Sequence, residues 1–193
     1  MHTLRFALLA ALVAASPALA QDDTPIEPGA RALLFGVDLN SGLTSFGGAT
    51  LGAKWHSSAE RATRIGLTLQ AFAQGGEDQD RQSALVAGNA VFLRYRRSRT
   101  PIYLYHGLGP TASLRLNRDA FGDQDRLNAR VGVGVLGVVG VEWPVASAVS
   151  LTGEYGLTLE GTYERFSAEP DDADLFGVAL QSRGGVLGVA VYF

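Results

Sequence analysis

The chain has 193 residues, no cysteine, 24 glycines, 47% hydrophobic residues and a formal net charge of −3. The lack of cysteine excludes a disulfide framework and a thiolate metal centre. The mild negative charge argues against nucleic acid as a partner, and so apolar a chain is not a disordered glycine-rich polymer.

The first residues read MHTLRFALLAALVAASPALA. Arg5 gives a short basic start, an apolar stretch runs over 6–15, and the segment ends on Ala18-Leu19-Ala20. This is the three-part pattern of a secretory signal peptide with a small-residue cleavage site. The apolar run is shorter than the roughly 20 residues a membrane helix needs. The expected division is a signal peptide over 1–20, a short N-terminal periplasmic segment over 21–29, and one folded unit over 30–193. No cysteine follows the cleavage site, which argues against a lipid-anchored lipoprotein.

Residues 31–40, RALLFGVDLN, set Leu33, Phe35, Val37 and Leu39 against Leu34, Gly36, Asp38 and Asn40. That alternation is the signal of a β-strand. It returns at 49–56, 64–71, 90–95, 102–109, 131–143, 149–160 and 187–193, which makes eight strands. On the fourth, Val91, Leu93 and Tyr95 read as the apolar face, with Ala90, Phe92 and Arg94 opposite. Tight turns are expected at 57–60, 97–101 and 144–148. The polar stretches QGGEDQDRQ, NRDAFGDQDR and YERFSAEPDDADL read as longer loops, and NSGLTS as a short one. Strand, loop, strand and tight turn describe an antiparallel up-and-down meander, whose even strand number allows closure.

The run VGVGVLGVVGVEW at 131–143 tests this reading, because Gly132, Gly134 and Gly137 match the G-x-G-x-x-G spacing of a dinucleotide loop. Such a loop must open a helix. Here β-branched Val138, Val139 and Val141 follow, then Pro144, and no helix can start. A membrane helix fails on length before Glu142. In a strand, Gly132, Gly134 and Gly140 occupy one face and Val131, Val133, Val135, Val139 and Val141 the other. Gly137 falls on the valine side without a reason in the pattern.

The valine, leucine and isoleucine faces oppose faces of glycine, threonine, serine and glutamine. Lys54, Arg64, Arg94, Glu142 and Glu154 are mixed into the latter. Eight strands enclose only enough room for side chains. Small polar residues suit that interior and the aliphatic face suits lipid, which is the pattern of a transmembrane β-barrel. The expected lumen network comprises Lys54, Arg64, Arg94, Tyr103, Tyr105, Glu142 and Glu154, because charges in a dry lumen must be paired. Trp55, Tyr95 and Trp143 lie at strand ends beside tight turns, the place of an interfacial aromatic girdle. A soluble lipocalin-like barrel would instead need an apolar cavity and a charged exterior.

Two further segments carry a family resemblance. GVEWPVASAVSLTGEYGLTL at 140–159 combines a glycine-valine strand, a tight turn and a strand running into Glu-Tyr-Gly; GVLGVAVYF at 185–193 ends on an alternating apolar strand with terminal Phe193. Together the mature chain resembles the small eight-stranded outer-membrane proteins of the OmpA/OmpX type. The resemblance implies a cell outer-membrane location and contact with outer-membrane lipid and lipopolysaccharide. It also implies that Phe193 is read by the barrel assembly machinery. The chain departs from the pattern in its short first loop and in a switch of faces between Gln181 and Gly185, as a bulge would produce.

Three functions compete: a structural or surface-interaction barrel acting through its external loops toward a surface ligand of unknown kind, a small-solute channel, and a lipid-modifying enzyme of the outer leaflet. A filled lumen disfavours the channel. The enzyme reading rests on His56-Ser57-Ser58, similar to the His-x-Ser pair of lipid A deacylases. That pair lies beside a tight periplasmic turn with no glutamate at suitable spacing, and His106 has no serine after it. A general base needs its partner within about 3 Å. Asp119, Asp123, Asp125, Asp171, Asp172 and Asp174 could attract a divalent cation, yet they match no EF-hand spacing. Arg118 and Arg126 could meet lipopolysaccharide phosphates. The expectation is a non-enzymatic outer-membrane barrel without cofactor or metal.

Overall fold

The computed structural model describes residues 25–39, 48–75, 79–98, 101–121, 124–167 and 173–193. The proposed signal peptide therefore lies outside the described residues. So do Asp123, Asp171 and Asp172.

Eight strands follow in chain order: β1 (Arg31–Leu39), β2 (Gly48–Ser58), β3 (Arg61–Gly75), β4 (Gln79–Arg97), β5 (Tyr103–Phe121), β6 (Gln124–Ala146), β7 (Val149–Ser167) and β8 (Ala173–Tyr192). Each pairs antiparallel with its neighbour, and β1 pairs with β8, so the sheet closes into a barrel. The closing seam runs from Ala32 opposite Tyr192 to Leu39 opposite Gly185. Closure removes the unpaired edge on which a sheet would aggregate.

Outward faces are aliphatic. Leu33, Phe35, Leu51, Ile65, Leu67, Val86, Leu108, Val133, Val139, Leu157 and Leu159 are all exposed. In water such a surface would be untenable, since soluble monomers rarely expose a contiguous apolar patch above a few hundred Å². Among the described residues, charged side chains on this surface occur only toward the strand ends. Arg31, Arg61, Arg94 and Arg96 lie near one end, Arg118 and Arg165 near the other. Between them the stretch 151–163 of β7, at about 3.3 Å per residue and a tilt near 40°, rises roughly 30 Å, the thickness of a hydrocarbon core.

Inside the band, the Ser182 hydroxyl donates to the Tyr155 hydroxyl at 2.8 Å. Trp55 and Trp143 face outward near the tight turns. Near the other end, Tyr163 and Phe176 stack with ring centroids 5.0 Å apart.

Two expectations are corrected by the phase of β4. Val91, Leu93 and Tyr95 point inward and are buried, whereas Phe92 and Arg94 point outward. Tyr95 is therefore a lumen residue and no part of a girdle, and Arg94 is a rim residue and no part of the lumen. Both faces of the segment Ala90-Val91-Phe92-Leu93 are apolar, so alternation alone cannot orient it. The orientation follows from Tyr95, whose phenol has charged partners only on the inside.

The polar stretches read as loops are also largely strand. β3 extends to Gly75, β5 to Phe121 and β7 to Ser167, and β4, β6 and β8 begin at Gln79, Gln124 and Ala173. Beyond the membrane both faces of a strand are wet, so its sequence loses the apolar alternation that marks it.

The face switch on β8 is a bulge. Gly156 pairs with Gly184 but Leu157 pairs with Ser182, which leaves Arg183 unpaired in the ladder. Gly184 adopts φ 73°, a left-handed value open to glycine, and its N–H donates to the Ser182 hydroxyl at 3.1 Å. The bulge turns Arg183 into the lumen.

Candidate functional site: the barrel lumen

The lumen is layered, and its lowest layer lies beside the tight turns. Glu142 is fully buried, and its carboxylate accepts from Lys54 Nζ at 2.6 Å, from the Tyr95 hydroxyl at 2.9 Å and from the Tyr192 hydroxyl at 2.6 Å. Four strands, β2, β4, β6 and β8, thus converge on one carboxylate. The Lys54 ammonium also donates to the Tyr95 hydroxyl at 3.2 Å and lies 5.0 Å from the Tyr192 ring centroid. That contact is of cation–π type, worth more where water is excluded. Below it, the His56 ring stands 5.1 Å from Tyr95 and its Nε2 is 3.4 Å from the Tyr192 hydroxyl.

Ala32, Ala62, Leu93, Tyr95, Tyr103 and Tyr192 form an apolar cluster here, together with Ile26 from the segment before β1. That segment turns at Glu27–Ala30, where Ala30 N–H donates to the Glu27 carbonyl. It is then tied to β2 by Gly29 N–H on the His56 carbonyl at 2.8 Å. The turn brings Ile26 against the mouth of the barrel and buries it.

The middle layer is a second ion pair. Arg64 meets Glu154 in a fork, with Nη2 on Oε1 at 3.0 Å and Nη1 on Oε2, and the Tyr105 hydroxyl donates to Oε2 at 3.1 Å. Both partners are mostly buried, as the geometry of a bidentate pair favours. The Tyr105 ring rests where a side chain on Gly140 would stand: a Cβ there would lie 2.4 Å from Tyr105 Cζ. Leu136, Val138 and Val91 fill the adjoining wall.

The upper layer is looser. A cavity of about 90 Å³ is lined by Asp38, Arg115, Arg130, Glu160, Arg183 and neighbouring small polar groups. A second, of about 70 Å³, lies beside the two ion pairs and shares Asp38, Thr68 and Arg183 with it. Glu160 accepts from Ser113, Glu164 accepts from Asn128, and Asp38 accepts from Gln70 at 3.3 Å. Arg115 and Arg130 stand opposite each other across β5 and β6, and neither has an ion pair among the described residues.

The structure therefore brings Lys54, Arg64, Tyr105, Glu142 and Glu154 together in two adjoining layers, with Tyr103 buried in the apolar cluster below. Arg94 is not among them. Tyr95, Tyr192, Asp38, Arg183 and Ile26 join without having been singled out for the lumen. For Tyr192 the signal was present, since it alternates with outward Val191 and Phe193.

His56 and Ser57 do not form a dyad, because His56 faces the lumen and Ser57 the outside, where its hydroxyl donates to the Arg61 carbonyl at 3.3 Å. His106 faces outward. No group of three His, Asp or Glu side chains suited to a metal occurs among the described residues, and the Asp119 and Asp125 side chains lie outside that description.

No family model matches the sequence, and no curated protein matches it. The fold does have solved counterparts. A major outer membrane protein from Thermus thermophilus superposes with a TM-score of 0.64 at 12% identity, covering 86% of this chain and 99% of that one. The attachment invasion locus protein Ail of Yersinia pestis matches at TM-score 0.46 and 12% identity over 86% of this chain and 99% of its own. Neisserial surface protein A matches at 0.41 and 18% over 86% and 94%. The first of these carries the comparison. The chain is an eight-stranded antiparallel barrel with the fold of the small outer-membrane β-barrel proteins.

Proposed function

We propose that this chain is an exported, non-enzymatic outer-membrane protein with a closed lumen. Its barrel serves as an anchor that holds the upper strands and their loops outside the membrane for structural or surface contact. The observation that carries this reading is the layer on Glu142, where residues from four strands meet across the bore with no side-chain polar group of Lys54, Tyr95 or Glu142 left unpartnered. A solute would have to break that layer and displace Ile26. Strand length supports the second half of the reading. β6 has 23 residues and β8 has 20, about twice the 9–11 that cross a bilayer. The surplus of these two strands stands beyond the membrane on one side and carries their loops to the exterior.

Lipopolysaccharide is the expected lipid neighbour at that level. Phe193 is read as the assembly signal; its outward position at the β1–β8 seam, with its N–H on the Arg31 carbonyl at 3.0 Å, supports that reading.

Two measurements test the proposal. Membrane-extracted protein should migrate differently on a gel before and after boiling. Purified protein in a planar bilayer should show no unitary current. Recovery as a soluble periplasmic protein would refute the anchor, and stable conductance steps would refute the closed lumen.

A further inference from the structure

The outer surface near the tight turns is electrically lopsided. Arg31, Arg61, Arg94 and Arg96 are exposed there, with Arg97 at the last residue of β4. All sit on β1, β3 and β4. Around the rest of the ring, from β6 to β8 beside β1, the corresponding strand ends present Trp143, Leu151, Val191 and Phe193 and no outward charged side chain. Arg61 stands opposite Arg94, and Arg94 opposite His106. Like charges facing each other across strands are destabilising. The protein does not supply the counter-charge: none of these guanidinium groups has an ion pair among the described residues, although Glu27 and Glu60 are exposed on the same rim.

Trp55 faces outward directly opposite Arg31 and fixes the level. Exposed tryptophan marks the boundary between hydrocarbon and headgroups. The arginines therefore lie at headgroup depth, where phosphate oxygens can take the paired N–H donors of a guanidinium.

We infer that this arginine face is a binding site for anionic glycerophospholipid, and that it holds the phosphates of such lipids in the leaflet at the tight-turn end. The inference rests on the membrane-barrel reading. A basic face of this kind gains about fivefold in lipid partition per arginine, corresponding to about 1 kcal/mol each. It would give the barrel an annulus occupied by anionic lipid on one side only.

The test is native mass spectrometry of the full chain released from nanodiscs of equimolar phosphatidylcholine and phosphatidylglycerol. The wild type should retain phosphatidylglycerol in clear preference. Arg61→Gln/Arg94→Gln/Arg96→Gln should lose that preference at least tenfold, and the matching triple lysine variant should keep part of it. The single change Arg96→Gln, at a strand end where folding is least exposed to it, should show a smaller loss in the same direction.

Heat-modifiability of each protein is recorded in parallel. A folded wild-type barrel without phosphatidylglycerol preference, as expected if the arginines serve an acidic soluble partner, overturns the lipid site alone. So does a folded triple variant that retains the preference. A wild type that neither inserts nor shifts on boiling overturns the barrel reading along with it.

Discussion

The two ends of the lumen solve the same electrostatic problem differently. At the tight-turn end Glu142 is fully buried and receives three donors, and its cation Lys54 is equally enclosed. At the loop end Arg115 and Arg130 oppose each other, while nearby carboxylates are engaged by neutral serine, asparagine and glutamine. A charge removed from water must be paired and hydrogen-bonded or the fold loses several kcal/mol. A charge beside an open polar cavity keeps its solvation and can tolerate a like neighbour. The lower lumen is thus a charge-paired polar core, whereas the upper lumen borders a cavity of about 90 Å³ and meets its buried carboxylates, Asp38 and Glu160, with neutral donors.

Removing the lower carboxylate should have the largest effect. Glu142→Ala leaves a buried ammonium and two phenols without their acceptor, and should cost about 3–5 kcal/mol of folding stability in lipid vesicles. Urea titration followed by Trp55 and Trp143 fluorescence would measure it. Replacing both partners, as in Lys54→Met/Glu142→Leu, should restore much of the loss, since an apolar pair of similar volume leaves no orphaned charge. A double variant as unstable as the single one would show that the layer matters for shape and not for charge pairing.

One step up the lumen, Glu154→Ala removes a forked partner from Arg64 and an acceptor from Tyr105. The pair retains slight solvent access. A loss of roughly 1.5–3 kcal/mol follows for a charge-assisted hydrogen-bond acceptor, smaller than at Glu142. Equal losses at the two sites would erase the gradient between the layers.

What the sequence discloses follows the same gradient. Where one face meets lipid and the other meets small polar residues, alternation is legible. Thr50, Gly52 and Lys54 on β2 and Thr152, Glu154 and Gly156 on β7 stand inside as their period implies. The fold and the ion-pair residues were readable for that reason. Alternation fails at Val91, Phe92 and Leu93, because an apolar plug inside the bore makes both faces of β4 apolar. It fails again at Asn117 and Arg118, near the loop end of β5, where both faces are polar. Partner choice is not local at all: Lys54 and Glu142 lie 88 residues apart and meet only because the barrel closes.

Glycine tests the packing difference without touching charge. A Cβ on Gly140 would stand 2.4 Å from Tyr105 Cζ and 2.8 Å from the Gly153 carbonyl oxygen, between a wedged ring and a fixed backbone. Gly140→Ala should cost about 1–3 kcal/mol as an overpacked site. On Gly132 the Cβ would meet the Glu160 carboxylate at 1.8 Å and the Ser113 hydroxyl at 2.7 Å, both side-chain ends bordering the upper cavity. Those ends can swing aside, so Gly132→Ala should cost less than about 1 kcal/mol. Reversal of that order in paired unfolding experiments would mean that the upper lumen is as closely packed as the lower.

The smallest effect is the most discriminating. Arg130 lines the upper cavity, faces Arg115 across one ladder and Glu164 across the other, and pairs with neither. Were the upper lumen a dry core, cutting a charge there would cost as much as at Glu142. In a wet vestibule, Arg130→Gln removes a repulsion and a screened attraction together, and stability should stay within about 0.5 kcal/mol of wild type. The residual change should also shrink with added salt, because interactions between hydrated charges are screened beyond about 10 Å at 0.1 M. A salt-insensitive loss above about 2 kcal/mol would place Arg130 in a water-free pair and make the two halves of the lumen one continuous core.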